Sequence, residues 1–374
     1  MPIKKVPSEE AFFGGNRLRR WPSHEFQTTR LSPIARPAID TPYRLSESDR
    51  FFCCGSCFAR NLEVELNARN LDVITADPKL GQSQNKYNVF SILNELRWAL
   101  DENGLEESAK SILPFNSSTF HDTQGGNAIL NDEGEWVDGL ISESAVMDRR
   151  AYLHERYKRF PECSVFVFTL GMAEAWYDVE FQRYLNVAPS PFAIKKTPER
   201  FELHVLSYEE IAKGLDEIYQ LIRHAKNGEN FRILISTSPV PLYSTFSGRD
   251  VLIANTYSKS VQRAASEAFA FAHEEVDYIP SYEMAMLSER KYVWQEDKRH
   301  VSGDFVDFII SSVVAAMSDT DDGLDNFLSE AKLFFDVGSG NGQTAVPNWE
   351  KIRKTFKRNE ELKVLLDYYK KRAG

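Results

Sequence analysis

The sequence predicts an α/β fold, a three-layer α/β/α sandwich around a five-stranded, mainly parallel sheet. Three observations carry that expectation. Short apolar runs alternate with longer amphipathic stretches, the rhythm of parallel β–α units. One run, Cys163 to Thr169, is continuously apolar with β-branched and aromatic residues, as in a strand covered on both faces. A capping-box pattern, Ser207-Tyr208-Glu209-Glu210, opens a helix that turns Ile211, Leu215, Ile218 and Ile222 inwards.

Taken in order, residues 1–49 carry several prolines and the basic cluster Arg17, Arg19 and Arg20 with little periodicity, and read as an extended N-terminal arm. The α/β domain is expected over residues 50–318. Its first strand is Phe51 to Cys54, and its first helix runs from about Phe58 to Arg69 with Leu62 and Leu66 inwards. A second strand, Leu71 to Thr75, precedes a polar loop, Asp77 to Lys86, and a helix presenting Val89, Leu93, Leu96 and Leu100 on one face.

From about residue 101 to 162 the rhythm stops. This insertion is rich in Gly, Ser, Asn and acidic residues, and reads either as a wall of a pocket or as a loosely packed excursion. After the third strand and a variable polar stretch come the capped helix, a fourth strand, Phe231 to Ser236, a helix over about Ile253 to His273, and a fifth strand, Val276 to Ile279. A last domain helix carries Phe305, Phe308, Ile309, Val313 and Ala316. Residues 319–374 form an acidic boundary, a Gly-rich linker at Gly338 to Gly342 and a basic amphipathic tail from Trp349 to Arg372.

Composition excludes several classes. The formal net charge of −10 disfavours nucleic acid, whose phosphates reward clustered Lys and Arg. No apolar run is long enough to cross a bilayer, and Met1-Pro2-Ile3-Lys4-Lys5 opens no secretory signal, so the expected location is the cytoplasm. Cys53, Cys54 and Cys57 lack the second pair a zinc site needs, and neither a metal nor another cofactor is expected.

The chemistry gathers at Cys53-Cys54-Gly55-Ser56-Cys57-Phe58-Ala59. A buried strand, a glycine turn and a helix start put the Ser56 hydroxyl at the carboxyl edge of the sheet, beside helix N-terminal amides. Far downstream, Asp297-Lys298-Arg299-His300 spaces an aspartate to hold an imidazole whose far nitrogen faces a serine. Cys57, one residue on, is the rival nucleophile, because a helix N-terminus beside a histidine acidifies a thiol. The other histidines, at 24, 121, 154, 204, 224 and 273, have no comparable setting.

Gly55-Ser56-Cys57-Phe58-Ala59 resembles the signature of the GSCFA family, which is similar to the SGNH (GDSL-like) hydrolases. Tyr87 to Ile92, Thr169-Leu170-Gly171, Ser238 to Pro241, Pro280 to Glu283 and Asp297 to Ser302 match further blocks, in the family's order, across roughly residues 50–315. The resemblance implies a flavodoxin-like sheet and a triad of Ser56, His300 and Asp297. It also implies oxyanion donors from the amides of Ser56 and Gly171 and the side chain of Asn88. Tyr282, Glu283, Asn255 and Lys259 would line or brace the site.

Two departures stand out: Gly55 meets Ser56 without the usual intervening aspartate, and Glu174 occupies the place of an oxyanion asparagine. A carboxylate cannot donate that bond, so Glu174 must be protonated, turned away or given another task such as binding a substrate hydroxyl. The implied activity is removal of a small O-acyl group, acetyl above all, from a carbohydrate. The alternatives are acyl transfer in polysaccharide assembly from an acyl-thioester donor, and a catalytically inactive carbohydrate-binding module. Oligomeric state is not legible.

Overall fold

The computed structural model describes residues 2–14, 21, 31, 34–46, 48–68, 71–77, 81–125, 128–130, 136–138 and 142–317. The cluster at Arg17, Arg19 and Arg20 and the linker and tail expected over 319–374 lie outside them.

Five strands form the central sheet: β1 (Arg50–Gly55), β2 (Asp72–Val73), β3 (Val165–Leu170), β4 (Arg232–Thr237) and β5 (Val276–Tyr278). Their spatial order is β2-β1-β3-β4-β5, and every pairing is parallel. This is the flavodoxin-like order, in which the chain leaves β1 to one side and returns to β3 on the other. The crevice at the carboxyl ends of β1 and β3 is the switch point, where such sheets take ligands. β2 is shorter than its apolar run suggests. It is an edge strand, and beyond Val73 one further bond, Ile74 N–H to the Phe51 carbonyl at 3.0 Å, continues the contact.

Because strand side chains alternate, β1 feeds both layers. Phe52 and Cys54 join a core with Leu96 of α2 (Val89–Leu100), Tyr157 of α3 (Glu143–Tyr157), Ile218 of α4 (Tyr208–Lys226) and Phe269 of α5 (Val251–Ala272). Phe51 and Cys53 face the other way, against Phe58 and Leu62 of α1 (Cys57–Ala68) and Phe305 and Ile309 of α6 (Gly303–Ala316). Both capping-box bonds of α4 are formed, Ser207 Oγ accepting from Glu210 N and Glu210 accepting from Ser207 N. Leu100, expected on the buried face of α2, closes the helix at the surface, and Ile92 and Ala99 complete that face.

The insertion is not a loose excursion. Its helix α3 sends Leu153 and Tyr157 into the core, where the Tyr157 ring meets Phe52 edge-on at 5.0 Å. It also carries Arg150, fully buried, whose guanidinium bridges Glu95 of α2 and, at 3.0 Å, Asp122. Lys86 completes the cluster at 2.8 Å from Glu95 and caps the Gln124 carbonyl. The stretch after β3, read as variable and polar, folds as a three-stranded antiparallel sheet of Glu174–Asp178, Arg183–Leu185 and Phe201–Val205. Among the described residues, no helix is long and apolar enough to cross a membrane.

Candidate active site

The site begins with a glycine that nothing else can replace. Gly55 ends β1 with φ +153°, and a Cβ there would lie 2.3 Å from Thr169 Oγ1 and 2.5 Å from the Thr169 carbonyl. That contact brings β1 against β3 and lets the next residue turn into α1. Gly55→Ala is expected to destabilise the fold by about 3 kcal/mol, from overpacking plus backbone strain, seen as a lower urea midpoint. A change below about 0.5 kcal/mol would show that the turn relaxes.

Ser56, 3% exposed, caps α1: its Oγ accepts from the Phe58 amide at 3.3 Å and lies 3.4 Å from Thr169 Oγ1. Its own N–H is directed at Thr169, 3.2 Å from Oγ1 and 3.3 Å from the carbonyl oxygen. Gly171 follows β3 directly beside it. A Cβ on Gly171 would sit 3.3 Å from Ser56 Cβ and 2.9 Å from the Tyr87 carbonyl, so the glycine permits this approach. The Gly171 N–H donates to that Tyr87 carbonyl at 3.1 Å, and Met172 N–H joins it at 2.6 Å. Both expected backbone donors are therefore engaged within the protein.

The expected side-chain donor is engaged too. Asn88 is the N-cap of α2, accepting from Ser91 N at 2.9 Å, while its Nδ2 donates to the Leu185 carbonyl at 2.9 Å. One of the two N–H groups of its Nδ2 is thus taken up at the helix start. Glu174 has the other task that its chemistry required: its carboxylate accepts from Thr245 Oγ1 and, at 2.9 Å, from the Phe246 amide. It anchors the loop after β4, on which Tyr243 and Phe246 are exposed at 83% and 58%.

Asp297 and His300 sit in a tight loop closed by a bridge between Trp294 and Val301, with Lys298 in the left-handed region at φ +57°. Asp297 Oδ1 accepts from the amides of Arg299 and His300, each at 2.9 Å, and Oδ2 meets His300 Nδ1 at 2.5 Å. The two backbone amides, then the imidazole, hold the Asp297 carboxyl down to about 2, so it is ionised throughout the neutral range. His300 Nε2 is turned not to Ser56 but to Arg299 Nη1, at 2.9 Å. The dyad is thus formed, and Ser56 has no hydrogen bond to it in this state.

Arg299 ties the loop to the sheet edge. Its guanidinium lies 5.4 Å from the Tyr243 ring centre, and its charge is felt at Cys57, Tyr87 and Lys259. Cys57 is half-buried; burial pushes its thiol up, and the charges of Arg299 and Lys259 only partly offset that. Glu283 braces rather than lines the site, holding Arg263 of α5 and, at 2.9 Å, the Tyr278 hydroxyl. Tyr282 is half-buried beside it, on the short helix Ser281–Leu287.

Two residues were underweighted by sequence reasoning. Asn186 sews the loop behind the site, accepting from Tyr87 N at 2.6 Å and donating to the carbonyls of Asn85 and Gly125. Lys259 of α5 is 1% exposed and donates to the Gly171 carbonyl at 2.6 Å. Burial, chiefly, holds its ammonium down to about 7. A lone lysine in a long helix gives no signal of burial, whereas Asn186 sits in a polar run that hides it. Compared with known proteins, residues 50–312 match the family model described as the GSCFA family. No curated protein and no solved structure matches the chain.

Proposed function

The chain belongs to the GSCFA family, and from that premise we propose that it is a serine esterase of the SGNH type, removing a small O-acyl group, acetyl above all, from a carbohydrate. The observation that carries this reading is the Ser56 hydroxyl at the sheet's switch point, with an ionised Asp297 bonded to His300 on a loop whose Arg299 reaches the same edge. Ser56 Oγ attacks the ester carbonyl while His300 Nε2, released from Arg299, takes its proton. Collapse of the tetrahedral intermediate expels the sugar hydroxyl, which recovers that proton from the imidazolium. Water, deprotonated by the same imidazole, then frees Ser56 as the carboxylic acid leaves. Asp297 keeps the Nδ1 proton in place and offsets the imidazolium charge.

Serine is favoured over Cys57 because burial keeps the thiol protonated. A second reading, a catalytically silent carbohydrate-binding protein, is favoured by the amides of Ser56 and Gly171, two expected oxyanion donors that are engaged within the protein.

A fluorophosphonate probe followed by peptide mapping separates these readings. The esterase reading expects one adduct on Ser56 that disappears in His300→Ala. An adduct on Cys57 moves the nucleophile by one residue, and no adduct leaves the binding reading.

A further inference from the structure

The proposed reaction builds negative charge beside Ser56, and several of the donors expected there are spent elsewhere. The amides of Ser56, Gly171 and Met172 are directed at Thr169 and Tyr87, Asn88 Nδ2 is given to Leu185, and Glu174 only accepts. The positive charge at this edge comes from side chains instead. Lys259 is almost wholly buried, its one hydrogen bond goes to the Gly171 carbonyl at 2.6 Å, and among the described residues no carboxylate forms an ion pair with it. Arg299 is the second cation. Its Nε is buried without a hydrogen-bond partner, and its Nη1 is on His300.

The two cations are close enough to act on one another, and both act on Cys57. A buried ammonium with a like-charged neighbour and no counter-ion is costly, and an anion offsets that cost. Lys259 has two N–H groups left after Gly171, and Arg299 has its Nε–H, so this edge holds unspent cationic donors.

We propose that Lys259 and Arg299 form an anion site at the Ser56–Gly171 edge that receives a small monocarboxylate, the acyl product of the reaction, and the oxyanion that precedes it. The identity of the anion rests on the esterase reading; the charge arrangement does not. With its ammonium held down to about 7 by burial and by Arg299, and Cys57 acting in the opposite sense, Lys259 is partly deprotonated in the empty site above that pH. The other titratable groups facing the pair are Tyr87 and, through Arg299, the His300–Asp297 dyad. An anion restores the lysine's proton, so binding takes up a proton and weakens as pH rises.

The test uses acetate and its uncharged isostere acetamide on the full chain, followed by ligand-observed NMR titration at pH 6 and pH 9. Acetate is expected to bind at pH 6, acetamide at least about tenfold more weakly, the margin of one charge-assisted hydrogen bond. Acetate affinity is expected to fall about tenfold by pH 9, and by a similar factor in Lys259→Met. Lys259→Met removes an unpaired buried charge and so keeps the fold; Arg299→Gln, at a partly exposed position, is the second variant. Equal binding of acetate and acetamide, or acetate affinity unchanged in both variants, overturns the proposal. A His300-dependent adduct on Ser56 without acetate binding overturns the anion site and leaves the esterase reading standing. Lys259-dependent acetate binding without any adduct does the reverse.

Discussion

Replacing Asp297 by asparagine is expected to slow hydrolysis of a chromogenic aryl acetate about 10⁴-fold, the loss that follows when a triad imidazole is held in the wrong tautomer. Asp297 serves two masters through its two oxygens: Oδ1 accepts from the amides of Arg299 and His300, and Oδ2 holds His300 Nδ1. Asparagine keeps one of these acceptors. With its oxygen left on the backbone amides, its NH₂ faces Nδ1, and the ring must then carry its proton on Nε2, where it cannot take one from Ser56. The loop survives, so the circular dichroism and urea midpoint should be unchanged while kcat falls. On the proposed reading, a loss of less than tenfold would remove His300 from the chemistry.

The second large effect concerns stability. Arg150→Met is expected to lower the unfolding free energy by about 3–5 kcal/mol, because it strands the buried Asp122 carboxylate rather than replacing a whole ion cluster. Arg150 is fully buried between Glu95 and Asp122, and after its removal Glu95 keeps Lys86 while Asp122 keeps no ion-pair partner among the described residues.

Burial pushes Asp122 up, yet Arg150 and Lys86 outweigh it and hold the carboxyl below its usual value. A depressed carboxyl contributes stability above its unfolded pKa and loses it as pH falls through the folded one. In the variant that carboxyl rises instead and protonates readily. The gap between variant and wild type should therefore narrow under acid. Urea titrations at pH 7 and pH 4 check both signs; a difference below about 1 kcal/mol at pH 7 would show that the cluster relaxes without Arg150.

Legibility followed the range of the forces involved. The strand at Val165–Leu170 and the box at Ser207 and Glu210 are set by neighbours in sequence, and could be read there. The Asp297–His300 pair was legible for the same reason, since three residues of spacing close a loop by themselves. Phe201-Glu202-Leu203-His204-Val205 carried an alternation that announced a strand, and the polar residues around it masked the signal. What stayed hidden depended on distant partners. Lys259 is buried because Gly171 reaches it from 88 positions away, Glu174 turns to a loop 71 positions on, and Asn88 is drawn to Leu185. No local pattern distinguishes a lysine headed for the interior from one left in water.

The loop held by Glu174 has one more consequence. Ser56 and Gly171 are sewn to Thr169 and Tyr87, so a substitution there disturbs the sheet itself. Tyr243 and Phe246 are exposed on a segment held by Glu174, by Asn255 at the Leu242 amide and by ring contacts with Arg299 and Trp176. The scaffold thus separates what it must inherit unchanged from what it is at liberty to vary. A lineage can exchange these exposed aromatic residues at less cost to folding than any change at the seat of Ser56.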